Sequence, residues 1–168
     1  MSIKHIVREN IILRYKFEKT LGEGAFGKVK IASLHSDPSR KFAIKSIPRH
    51  LMDVCCGEKD KDAPSNTDLD INEQVMQELL NSEIQIVLEM DHPNIVKFYQ
   101  CVYDNTYINI VMELVKGTTL SDYLLDQKNN KIPEAECKII LRQAMHAIKY
   151  FHGKGIVHRD LKLDNILI

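Results

Sequence analysis

The chain has no excess charge of either sign, no paired-cysteine signature and no long apolar run, and each absence removes a class of function. Its 168 residues carry 23 Lys and Arg against 23 Asp and Glu. That balance argues against a nucleic-acid binder that relies on bulk positive potential. The four cysteines, Cys55, Cys56, Cys101 and Cys137, contain no C-x-x-C pair and no ladder of metal-ligand spacing. The sequence therefore reads as a reduced, intracellular chain with ordinary thiols. Nothing approaches the roughly 18 apolar residues of a membrane span, and the start, Met1-Ser2-Ile3-Lys4-His5, lacks a signal-peptide core. Ser2 stands where myristoylation requires glycine. A soluble, cytoplasmic protein is expected, with no membrane and no nucleic-acid partner. The 44% of hydrophobic residues suffices for a real core.

Alternating apolar and β-branched residues mark strands at about Tyr15 to Leu21, Lys28 to Leu34 and Lys41 to Ile47, the last ended by Pro48. Between the first two lies the glycine-rich turn Gly22 to Gly27. From Gly57 to Asp70 the run GEKDKDAPSNTDLD has five acids and two lysines but only one leucine and one alanine, so it reads as a mobile insertion. Asp70 and Glu73 resemble a capping box opening a long helix to Met90, on which Ile71, Val75, Leu79, Ile84 and Val87 recur at helical spacing. Two further strands, Ile95 to Tyr103 and Tyr107 to Leu114, complete a sheet of about five strands. The composition then turns helical, with a short helix from Leu120 to Asp126 and a long one opened by Pro133 and running to about Phe151. The end, from Ile156 to Ile168, reads as a short strand, a polar loop and the start of another strand.

Three elements carry chemistry. Gly22-Glu23-Gly24-Ala25-Phe26-Gly27-Lys28-Val29 fits G-x-G-x-x-G-x-V, where glycines let backbone amides approach a polyphosphate. Its strand-turn-strand context rules out a dinucleotide-binding fold, which needs a helix after the turn. Lys45 lies 18 residues beyond Gly27 and interrupts an apolar strand. His158-Arg159-Asp160-Leu161-Lys162-Leu163-Asp164-Asn165 fits H-R-D-L-x-x-x-N.

In this order the three elements resemble the eukaryotic protein kinase family, serine/threonine type, from about Tyr15 to Ile168. Met90-Asp91-His92-Pro93-Asn94-Ile95-Val96 and the Tyr107 to Leu114 strand look most like its calcium- and calmodulin-dependent group, although no D-x-D-x-D-G calcium loop occurs. The resemblance implies an α+β kinase-like fold: an N-terminal extension 1–14, a small lobe 15–116 containing a five-stranded antiparallel sheet and one long helix, and the start of a helical large lobe, 117–168. It implies ATP and Mg2+ as cofactors and transfer of the γ-phosphate to serine or threonine hydroxyls of protein substrates in signalling. Gly22, Glu23, Gly24, Ala25, Phe26 and Gly27 would cover the phosphates. Lys45 would hold the α- and β-phosphates and pair with Glu83, chosen over Glu73, Glu78 and Glu89 for its interval to His92-Pro93-Asn94. Asp160 would orient the substrate hydroxyl, Lys162 would neutralise the transferring phosphoryl group, and Asn165 would hold magnesium. Leu21, Val29 and Ala43 above and Leu167 below would line the adenine slot, with Met112 at its back and Glu113 to Val115 as hinge backbone. Thr119 stands where many relatives carry a ribose-binding acid. Arg159 hints at control through a phosphorylated activation loop, and His158 at a packing role beneath the catalytic loop.

No D-F-G, the family's motif for the principal magnesium carboxylate, occurs in these 168 residues. The expectation is that they form a truncated kinase domain that is inactive alone and prone to self-association through the Pro133 to Phe151 helix, whose apolar face would lack most of its cover. Two other readings stand beside it: a pseudokinase, and a non-catalytic fragment that binds nucleotide or a partner.

Overall fold

The computed structural model describes residues 5–24, 27–49 and 87–168. The expected 57–70 insertion, most of the expected helix before Met90, and Glu83 with it, lie outside the described residues, as do Ala25 and Phe26. The described residues of Met1–Met90 with Lys97–Leu114 form one compact unit; those of Asp91–Val96 with Val115–Ile168 form a second.

The first unit is a sheet of six strands: β1 (His5–Arg8), β2 (Tyr15–Gly24), β3 (Gly27–Leu34), β4 (Lys41–Pro48), β5 (Phe98–Tyr103) and β6 (Tyr107–Glu113), in the order β1-β5-β6-β4-β3-β2. Five of these are the expected strands, although β5 starts at Phe98 rather than Ile95. The sixth, β1, falls in the stretch read as an extension and pairs with β5 in parallel, Ile6 opposite Cys101; the other neighbours are antiparallel. Four residues are too short for alternation to announce a strand, and the open edge of β5 supplies the ladder that stabilises it.

Side-chain alternation gives the sheet two packed faces. On one, Ile44 and Val111 are fully buried together with Val102, Ala32 and Phe42. The Phe42 ring meets Tyr15 and Tyr99 edge-on at 5.6 and 5.5 Å. Ile11, from a 3-10 turn over Ile11–Leu13 whose first amides are capped by the Asn10 side chain, closes this cluster. Burial pushes the Tyr15 phenol above its usual range, and Gln100 donates to its oxygen at 2.6 Å. On the other face Leu88, Cys101, Tyr103 and Ile108 cluster with Ile6 and Phe98 against them. Full burial of each such aliphatic side chain contributes about 1.5–3 kcal/mol. Asp104 sets the β5–β6 turn by accepting from the Thr106 and Tyr107 amides at 2.7 and 2.9 Å.

The second unit contains α1 (Leu120–Asp126) and α2 (Glu134–Gly153). Thr119 caps α1, its hydroxyl oxygen accepting from the Asp122 amide at 3.0 Å while donating to the Asp122 carboxylate at 2.7 Å. α2 follows Pro133 with Glu134 and Glu136 in its first turn, where the helix dipole favours acids. It ends where Gly155, at φ +74°, turns the chain so that its amide and that of Ile156 meet the carbonyls of His152 and Phe151. Tyr123 ties α1 to α2 by donating to Glu136 at 2.7 Å. On α2 only Ala147 is buried, while Ile139, Leu141 and Met145 are more than half exposed. The tail does not form the two expected short strands: Leu163–Asn165 is a 3-10 turn, and Leu167 makes a single antiparallel bridge with Thr119. Its hydrogen bonds go to the 118–120 segment instead, which leaves no partner row long enough for a ladder.

Candidate active site

The glycine segment is a hairpin. Gly22 pairs with Val29, Glu23 with Lys28 and Gly24 with Gly27. Gly27 has φ +135°, and a Cβ there would sit 2.1 Å from the Ser46 carbonyl oxygen, so the close approach of β3 to β4 requires glycine. At Gly22 a Cβ would meet nothing within 4 Å, so the hairpin itself does not demand glycine there and the exposed backbone is open to a ligand. Glu23 and Lys28 pair across the strands at 3.1 Å, an exposed ion pair worth about 1 kcal/mol at most. Leu21 lies at the register irregularity between Thr20 and Gly22 and is 50% exposed, unusual for leucine in a strand.

Lys45 stands opposite Val29 on β3 and Ile110 on β6, while Ala43 stands opposite Ile31 and Met112. Strand alternation therefore places Val29, Ala43, Lys45 and Met112 on one face, opposite the Ile44 and Val111 cluster. That shared face is what a nucleotide platform needs: apolar patches for a base beside one cation for phosphate. No carboxylate is paired with Lys45 among the described residues, and its expected partner Glu83 lies outside them. The Glu113 amide donates to the Lys97 carbonyl at 2.8 Å at the end of β6.

In the second unit, Val115 is half-buried and Leu167 is 45% exposed. Thr118 and Ile168 exchange backbone hydrogen bonds at 3.2 and 3.0 Å, and a Cβ on Gly117 would strike the Ile168 carbonyl. The Thr119 hydroxyl is committed to capping α1, which gives this residue a local task in place of the ribose contact an acid would make.

The loop from His158 to Asn165 is tightly wound. Arg159 holds φ +62°, a left-handed conformation costly for a residue with a Cβ, and turns the chain so that the Asp160 amide reaches the His158 carbonyl at 2.9 Å. The His158 ring packs edge-on to Phe151 at 5.9 Å, and the residue remains exposed. Lys162 Nζ lies 3.0 Å from Asp160 Oδ2. Asn165 Nδ2 donates to the same oxygen at 3.0 Å and to the Asp160 carbonyl at 2.6 Å. These bonds, Lys162 first and Asn165 second, hold the Asp160 carboxyl below its usual range. Both donors converge on Oδ2, so the carboxylate is oriented with Oδ1 left to accept from another molecule.

The family resemblance assigns Asn165 to metal alone, and its second task, fixing Asp160, is visible only in the folded loop. Because Nδ2 is spent on Asp160, the amide oxygen is the atom that remains for a hard cation such as magnesium. No group of three or more His, Cys, Asp or Glu positioned to hold a metal occurs among the described residues. They fit a site to which the protein contributes one oxygen, and they do not make a self-contained cage.

A strand-turn-strand glycine hairpin, a lysine on its sheet and an Asp/Lys/Asn loop after a long helix define a protein-kinase-like fold. The family model described as "Protein kinase domain" matches residues 15–168, and the chain belongs to that family. NUAK family SNF1-like kinase 1 of Mus musculus is 33% identical over 98% of this chain and 22% of its own length. CBL-interacting serine/threonine-protein kinase 1 of Arabidopsis thaliana is 36% identical over 92% of this chain and 30% of its own. Calcium/calmodulin-dependent protein kinase type 1 of Macrobrachium nipponense is 31% identical over 92% and 38%. The chain thus spans well under half the length of these curated relatives. The crystal structure of Rad53 1–466 in complex with AMP-PNP superposes with a TM-score of 0.72 at 31% identity, covering 94% of this chain and 35% of that one.

Proposed function

We propose that this chain is part of the catalytic domain of a serine/threonine protein kinase that transfers the γ-phosphoryl group of ATP to protein hydroxyls. The observation that carries the reading is the Asp160 carboxylate, ionised and pinned through Oδ2 by Lys162 and Asn165 with Oδ1 unengaged. That is the geometry required to accept a hydrogen bond from a serine or threonine hydroxyl and aim its oxygen at phosphorus. Lys162, at the edge of the same carboxylate, offsets charge on the phosphoryl group in flight, and lysine at this position is the serine/threonine pattern. Lys45 and the amides of the 22–27 hairpin bind the polyphosphate, and Leu21, Val29, Ala43 and Met112 accept the base. The Glu83 pairing of Lys45, the Glu113 to Val115 hinge contacts and the place of Leu167 under the base belong to the same proposal. Magnesium, when bound, would neutralise phosphate charge, with the Asn165 amide oxygen as its ligand from this loop.

The 168 residues as they stand contain no D-F-G carboxylate, and we expect them to bind nucleotide with negligible turnover. No helix among the described residues is long and apolar enough to cross a membrane, and we place the protein in the cytosol. The test is a titration with AMP-PNP alongside a phosphotransfer assay on the chain and on Asp160→Asn. Binding that Lys45→Met weakens about tenfold or more, without Asp160-dependent turnover, is the expected result. Failure to bind AMP-PNP overturns the nucleotide reading, and turnover abolished by Asp160→Asn overturns the expected inactivity.

A further inference from the structure

The sheet face opposite Lys45 carries a cavity of about 570 Å³, in the size range of small-molecule sites. Its walls include Ile11, Phe17, Lys30, Ser46, Tyr107 and Asn109. Ser46 follows Lys45 and Asn109 precedes Ile110, so both lie on the face turned away from the nucleotide platform. Asn109 is 2% exposed, and its Oδ1 accepts from the Ser46 hydroxyl at 2.7 Å. Its Nδ2 is buried with no hydrogen-bond partner. A buried amide donor left unmatched is costly, and turning the amide over would only exchange an orphaned donor for an orphaned acceptor. The terminal torsion of asparagine is broad, so a modest rotation presents Nδ2 to the cavity without rebuilding the strand.

The neighbouring groups select what would fill it. Lys30 lays its ammonium over the Phe17 ring, 5.3 Å from the centroid, and no carboxylate is paired with it among the described residues. A cation and an orphaned N–H therefore line one cavity with Ile11, Phe17 and Tyr107. Of the two acids that also line it, Glu23 is paired with Lys28 and Asp104 is engaged by the amides of the β5–β6 turn. We propose that this cavity is a binding site for a small aryl carboxylate, its ring against Phe17 and Tyr107 and its carboxylate accepting from Asn109 Nδ2 beside Lys30. Glu23 and Gly27 of the glycine hairpin also line the cavity, but Asn109 and Lys30, which would hold the carboxylate, are not placed in the catalytic or nucleotide-binding machinery.

The probe is para-trifluoromethyl phenylacetate, followed by fluorine NMR on the whole chain with and without saturating AMP-PNP; the corresponding phenylethanol serves as the neutral match. Saturable broadening that persists with AMP-PNP and is about tenfold weaker for the alcohol is expected. Asn109→Leu should lower affinity about tenfold, and Lys30→Gln, at a less buried position that does not threaten the fold, by several-fold or more. Absence of saturable binding, displacement by AMP-PNP, equal binding of the alcohol, or affinity unchanged in Lys30→Gln would each overturn the assignment.

Discussion

Alanine at Gly27 tests whether the glycine hairpin is shaped by its own ligand or by its neighbour strand. The new Cβ would lie 2.1 Å from the Ser46 carbonyl oxygen and 3.0 Å from its carbon, at a backbone φ of +135°. An ordinary carbon–oxygen contact is about 3.3 Å, so β3 and β4 must separate by roughly 1.2 Å at that point. The strained φ costs about 1–3 kcal/mol and a weakened ladder bond about 1 kcal/mol more, giving a loss of about 2–4 kcal/mol. For a chain of this size that lowers the melting temperature by roughly 4–16 °C. The displaced carbonyl belongs to the residue next to Lys45, so AMP-PNP affinity should fall with stability. Near-UV circular dichroism of the tyrosines gives the melt, and calorimetric titration at a temperature where the variant is folded gives the affinity. Gly22→Ala is the control, since its Cβ meets nothing within 4 Å, and it should be stable to within about 1 kcal/mol. A Gly27→Ala melt within about 1 °C of the parent, or equal losses for both alanines, would refute the reasoning.

The Asp160 carboxyl titrates below its usual range because Lys162 and Asn165 stabilise the anion. A depressed native value favours the folded loop above the ordinary carboxylate range, an advantage lost as pH falls through that depressed value. Carbon-detected NMR should show the value rising towards normal in Lys162→Met, and an unshifted titration would break the link. Ile44 is fully buried between strands, so Ile44→Ala should cost about 2–5 kcal/mol in urea unfolding and Ile44→Val about 0.5–1.5 kcal/mol; equal midpoints would show that the cluster is not the core. Burial pushes the Cys101 thiol up to about 12, so mass-spectrometric labelling by iodoacetamide at neutral pH should reach it only after unfolding, and native labelling would contradict its burial. Ile139, Leu141 and Met145 on α2 are more than half exposed, and Leu141→Glu with Met145→Glu should shift any concentration-dependent oligomer seen by sedimentation towards monomer; an unchanged distribution places self-association elsewhere.

Local signals were sufficient for most of this chain. Alternation located β2 to β6, Pro133 and the glycines after Phe151 bounded α2, and fixed spacing within His158 to Asn165 singled out Asp160, Lys162 and Asn165 as one loop. Those features depend on each residue's own backbone preference or on neighbours a few positions away. Strand β1 was not legible, because four residues carry no period and their stability comes from an edge more than 90 residues distant. The same holds for the tail, where pairing with Thr118 and Leu120 replaced the expected strands. Only the folded loop gave Asn165 its grip on Asp160, since donor and acceptor meet through the turn that Arg159 makes at positive φ. The orphaned Asn109 amide likewise exists only once Ser46 and Val102 are brought beside it from two other strands. Residue type and spacing determined which chemistry the chain carries; long-range pairing decided which atoms of those residues are spent on one another and which remain for a ligand.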